Sequence, residues 1–129
     1  MTPEEASSLT FFKPSEWKNL PLVDFGFARY LDEVRLLYGK PLILTDSARL
    51  PDDKPPGYSK TSLHYLGRAA DLRWTFTPAD LFRFVHAAII AAAGRPIEIE
   101  LVKSSTDKHA HIALFDDPTH PSHFVIAAE

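Results

Sequence analysis

Residues 97 to 115 read IEIELVKSSTDKHAHIALF. Ile97, Ile99 and Leu101 alternate with Glu98 and Glu100, the period of two that marks a strand with one buried face. Ser104 to Lys108 is a polar turn. Beyond it the alternation resumes, with His109, His111, Ala113 and Phe115 on one side and Ala110, Ile112 and Leu114 on the other. Two such runs across a short polar turn predict an antiparallel hairpin. The Ala110, Ile112 and Leu114 side faces a core, which leaves the histidine side to line a groove.

Upstream, Phe27, Tyr30, Leu31, Val34, Leu37 and Tyr38 recur at spacings of three and four, so a helix is predicted over 24–38, stopped by Gly39. Leu42 to Thr45 is a short apolar run suited to a buried strand. Residues 46 to 61 hold Pro51, Pro55, Pro56 and Gly57 and read as a loop, long for a compact domain and of a length that is often functional or flexible. Ala69 to Trp74 is a candidate strand. Thr77-Pro78-Ala79-Asp80 opens a second helix with a cap, a first-turn proline and the acidic half of a capping box. That helix runs to about Ala93 and is expected to be buried on most sides, with His86 as a satisfied core histidine. Phe124 to Ile126 reads as a last strand. Residues 1 to 10 are expected to be a loose tail, and the aromatic residues of 11–17 to pack on the body. The order predicts an α+β fold, a small, mostly antiparallel sheet flanked by helices, in a single domain over 1–129.

With 129 residues and 45% hydrophobic content, one core is expected rather than two. The net charge of −3 comes without a basic block, which gives no support to nucleic-acid binding. No apolar run reaches 18 residues, so no membrane insertion is expected. The opening MTPEEASS has neither a basic start nor an apolar stretch behind it, so a cytoplasmic product is expected unless something else releases it. A monomer is expected. There is no cysteine, which removes disulfides, thiolate zinc sites and cysteine nucleophiles. A metal would have to be held by histidine, carboxylate or water.

The residues that can do chemistry fall in two clusters. His64 and Asp71 stand seven positions apart with Gly67 between them. A turn at Gly67 would let both reach one ion. Equally, His64 would cap a loop while Asp71 pairs with Arg68 or Arg73. His109 and His111 share a strand face, either as metal and substrate contacts or as two solvated histidines. Taken together, a His/Asp/His set leaves zinc a fourth position for water, the layout of a catalytic site. Arg49 either holds a substrate carboxylate or an oxyanion, or pairs with Asp52 or Asp53 on the surface. Ser62 either donates to a substrate or starts a turn. His120 and His123 lie in DDPTHPSH and are read as surface residues.

The stretch SLHYLGRAAD, residues 62 to 71, resembles the S-x-H-x-x-G-x-A-x-D motif of the zinc D-alanyl-D-alanine carboxypeptidases and L-alanyl-D-glutamate endopeptidases, a group that includes many phage endolysins. Its wider superfamily, with lysostaphin-type enzymes and the hedgehog signalling domain, shares His-x6-Asp followed later by His-x-His. Here these are His64-x6-Asp71 and His109-Ala110-His111. The resemblance covers roughly residues 12 to 115, including the approach helix and GKPLILT. It implies a peptidoglycan peptide as substrate and zinc as cofactor, with His64, Asp71 and His111 as ligands. His109 would stand beside the zinc-bound water or the oxyanion, and Ser62 and Arg49 would hold substrate. Family members often carry Glu or Asp three residues before the last zinc histidine, a position held here by Lys108. Asp107, Glu98, Glu100 or His109 itself would then serve as base. A zinc-binding or phage structural domain without catalysis is the alternative the substitution raises.

Overall fold

The computed structural model describes residues 1–128. Among them lie helices α1 (Pro3–Ser7), α2 (Phe25–Tyr38) and α3 (Pro78–Ala92), and strands β1 (Leu44–Asp46), β2 (Ala69–Arg73), β3 (Ile97–Lys103), β4 (Lys108–Leu114) and β5 (His123–Ala128). The strands form one sheet in the order β1-β2-β4-β3-β5. Every neighbouring pair is antiparallel except β3 and β5, which run parallel. The fold is α+β with a mixed, mostly antiparallel sheet.

Each helix follows from local chemistry. Asp24 caps α2 by accepting the N–H of Phe27, and Gly39 ends it at φ +83°, a left-handed conformation that a side chain resists. Thr77 and Asp80 make a reciprocal capping box at the start of α3, with Pro78 in the first turn. Ala87, Ala88, Ala91 and Ala92 are buried along α3 and let it approach its neighbours closely, so that the Tyr30 hydroxyl of α2 donates to the Ala88 carbonyl. The other side of α3 faces water: Phe82 is 81% exposed, and His86, Ile89 and Ile90 are exposed as well. Burial on most sides is therefore corrected to a single buried stripe, and His86 is a surface residue. Ala87, Ala88, Ala91 and Ala92 all fall on that one stripe, while Ala93 lies past the helix end and is exposed.

Residues 1–10 are not a loose tail. Thr2 and Glu5 form a capping box around α1, Ala6 is fully buried, and the Met1 amine donates to the carbonyls of Leu20 and Val23. Farther on, Asp32 accepts the N–H groups of Thr10 and Phe11, tying the segment to α2. The first strand begins two residues later than its apolar run, with Leu42 buried ahead of it and an irregularity between Leu44 and Asp46.

The core lies between the two long helices and one face of the sheet, where Ala70, Leu72, Ile97, Ile99, Ala110, Ile112 and Leu114 point. The opposite face carries a small second cluster, Leu63, Ala69 and Ala113 with Phe115 against it, and also the polar side chains of Asp71, Glu98, Glu100, His109 and His111. The last strand runs parallel to β3 for a simple reason. Chain leaving β4 is already at the end of the sheet where β3 begins, and residues 115–122 only have to round that end. No helix among the described residues is long and apolar enough to cross a membrane.

Candidate metal centre

Three segments bring the site together. Ser62 caps a short 3-10 turn, Leu63–Leu66, by accepting the N–H of His64. Gly67 ends that turn at φ +69° and sends the chain into β2, which carries Asp71. Asp71 stands directly across from His111 on β4. The result is a convergence on one carboxylate oxygen: Asp71 Oδ1 lies 3.3 Å from His64 Nε2 and 3.1 Å from His111 Nδ1. The two imidazole rings stand edge to face with centroids 5.1 Å apart. One ligand atom from each of the three residues falls within 4.8 Å of the others.

The outward nitrogens decide which inward ones are available. His64 Nδ1 lies 2.5 Å from the Ser47 carbonyl oxygen, which can only accept, so Nδ1 carries the proton. His111 Nε2 lies 2.7 Å from Glu98 Oε1 and donates to it in the same way. Each histidine is thus anchored through its outer nitrogen and presents its inner nitrogen to the same point. A carbonyl or carboxylate behind a ligating imidazole is the arrangement that orients metal-binding histidines and raises their basicity. Two imidazoles and one carboxylate suit zinc and leave a position open.

Without an ion the three groups bind each other. Burial opposes ionisation of Asp71, yet hydrogen bonds from His111 and His64, with the charges they carry, outweigh it and hold the carboxyl well below its usual range. Burial likewise opposes charge on His111, but its hydrogen bonds to Asp71 and Glu98 win and push its pKa up to about 9. The hydrogen bond from His111, helped by its charge, also lowers Glu98, against partial burial.

The site opens into a groove of about 880 Å3 whose walls include Arg49, Ser62, His64, Asp71, His109 and His111. Arg68, one of the alternative partners for Asp71, is occupied elsewhere: it pairs with Asp24 and donates to the carbonyls of Leu114 and Phe115. Arg49 pairs with Asp46 at 3.6 Å, not with Asp52 or Asp53, and its guanidinium lies 5.3 Å from the centre of the Tyr65 ring. Asp107 is 60% exposed on the hairpin turn and does not line the groove. Its Oδ1 lies 2.9 Å from His109 Nδ1, which leaves His109 Nε2 free to face the groove.

Lys108 is turned away. Pairing of β3 with β4 is unbroken from Lys108 to Leu114, so residue 108 points to the opposite face from His109 and His111. An acid at that position on this regular strand would miss the groove. Glu98 and Glu100, named as candidate bases, also line the groove, as do His120 and His123, which are exposed as expected but were not placed at the site. His120 stacks on Phe115 with ring centroids 3.7 Å apart. The alternation of β3 pointed to Glu98, but only the pairing of β5 with β3 brings in His123. The chain matches no protein-family model, no curated protein and no solved structure.

Proposed function

We propose that this protein is a zinc-dependent peptidase that hydrolyses a peptide bond of bacterial peptidoglycan, of the D-Ala-D-Ala carboxypeptidase or L-Ala-D-Glu endopeptidase type. The observation that carries the metal is the convergence of His64 Nε2 and His111 Nδ1 on Asp71 Oδ1, with both outer nitrogens already bound. The peptidoglycan substrate rests on the resemblance of SLHYLGRAAD to the family motif.

Zinc bound to this triad would supply a Lewis acid that polarises a carbonyl and makes water a nucleophile near neutral pH. The chain's own groups would do the rest. His109 stands two residues from His111 on the same face, and Asp107 holds its Nδ1 proton, so Nε2 can take a proton from the attacking water and return it to the leaving amine. Asp107 thus acts through His109 as a positioning residue. Arg49, flanked by Asp46 and Tyr65, offers a fixed cation to a substrate carboxylate or to the developing oxyanion. Ser62 lies on the groove wall as a further polar contact.

The test is release of new amino termini from purified peptidoglycan by zinc-loaded protein. His111→Ala should abolish it, and Asp107→Asn should lower kcat by tenfold or more at unchanged zinc content. Absence of cleavage for every common stem-peptide chemistry would refute the enzyme reading. The competing reading, a non-catalytic zinc-binding or phage structural domain of the same fold, draws on Lys108 in place of an acid and predicts zinc without cleavage.

A further inference from the structure

We propose that Glu98, Glu100 and His123 form a second divalent-cation site on the groove wall, sharing Glu98 with the first. Glu98 and Glu100 sit two apart on β3 and so project from the same face, which sets two carboxylates side by side. Like charges so placed repel unless a cation joins them. Among the described residues no lysine or arginine pairs with either; Glu98 is met by His111 and His123, while the Glu100 carboxylate makes no side-chain hydrogen bond or ion pair.

His123 supplies the third donor from another strand. It begins β5 directly beside Glu98, and its Nδ1 lies 3.3 Å from Glu98 Oε2. One ligand atom from each of the three lies within 4.8 Å of the others. Ligands held at about 2.0 to 2.2 Å from one ion stand up to about 4.4 Å apart, so only a small side-chain adjustment is needed. Glu98 can serve both sites at once, because Oε1 is turned to His111 Nε2 and Oε2 to His123.

The donor set names the class of ion. Two carboxylates and one imidazole, half open to water, favour a first-row divalent ion such as Mn2+ or Zn2+ with water completing its shell. The proposal needs no peptidase activity, and it stands or falls separately from the first site.

Mn2+ titration of the full chain, followed by the electron paramagnetic resonance of the free ion, counts sites directly. The wild type should take up two ions, and His64→Ala, His123→Ala and Glu100→Gln one each. Glu100→Gln is a conservative change on a half-exposed side chain and guards against a folding artefact. A single ion in the wild type, unaffected by His123→Ala and Glu100→Gln, would overturn the proposal. A single ion removed by His123→Ala but kept in His64→Ala would sustain it and remove the first site instead. No bound ion in the wild type overturns both.

Discussion

Gly67→Ala tests whether the turn between His64 and Asp71 depends on the absence of a side chain. Gly67 has φ +69°, and a Cβ there would stand 1.9 Å from the Leu22 carbonyl oxygen and 2.9 Å from the Asp24 nitrogen. Both obstacles are backbone, so no rotamer change relieves them. The left-handed conformation alone costs about 1–2 kcal/mol for alanine. Moving Leu22–Asp24 aside would also strain the hydrogen bond from Asp24 N–H to the Gly67 carbonyl, worth about 1 kcal/mol, and the Asp24 cap of α2, worth about another. The sum is about 3–4 kcal/mol. Gly94→Ala is the control, because Gly94 has φ +84° and nothing within 4 Å of an added Cβ. It should cost only the conformational part. Urea denaturation of both variants measures the difference, and for a chain of this length each kcal/mol shifts Tm by about 4 °C. If Gly67→Ala costs no more than Gly94→Ala, the close approach to Leu22 does not hold the turn and the reasoning fails.

Three further outcomes follow from the hydrogen bonds around the histidines. Glu98→Gln keeps an acceptor for His111 Nε2–H but removes its charge, and should weaken zinc at the first site by about 10- to 100-fold in a competitive chelator titration; unchanged affinity would remove Glu98 from the support of His111. The His111 pKa near 9 has a signed consequence, because it lies above the ordinary value of 6.5. In metal-free protein the stability from charged His111 is complete below about pH 6.5 and is lost as pH rises through 9. Asp71 acts in the other direction, stabilising above the ordinary carboxyl range and failing as pH falls well below it. Tm of chelator-treated protein should therefore decline between pH 7 and pH 9.5, and His111→Ala should flatten that limb; a flat wild-type curve would refute it. Zinc must displace the same proton, so calorimetry at pH 7.5 in buffers of different ionisation heat should report about one proton released per ion.

How far the sequence could be read depended on whether a feature is local. The glycine turn at Gly67 allowed His64 and Asp71 to meet and the period of two put His109 and His111 on one face, but only the resemblance to the family motif chose His64, Asp71 and His111 as a set. The α2 and α3 caps were legible because Asp24, Thr77 and Asp80 act within one turn. The anchoring of residues 1–10 was not, because it depends on Asp32 and on carbonyls some twenty residues away. His123 was passed over because DDPTHPSH carries no periodicity, and its place beside Glu98 exists only through a parallel pairing. Arg49 was assigned nearby acidic partners on the wrong side. Asp46 lies behind it at the end of β1, a relation set by the strand ending and not by distance along the chain.

The architecture explains why an entire row of ionisable groups can face one groove at tolerable cost. Helices α2 and α3 cover a single face of the sheet, so the apolar half of each strand is consumed there. The other half is covered only in part, by the segment from Ser47 to Leu66 and the small Leu63 cluster. Polar side chains on that face escape the full penalty of burial and can be satisfied by one another. Position in the period then separates groove from core along β4: His109 and His111 face the groove while Ala110 and Ile112 fill the core. Lys108 belongs by parity to the helix side, where an exposed strand end tolerates a charge. The missing acid is therefore no loss of a groove residue on this backbone. Under the proposed peptidase reading the proton-handling role would fall to His109, which has the right parity and an aspartate beside its Nδ1.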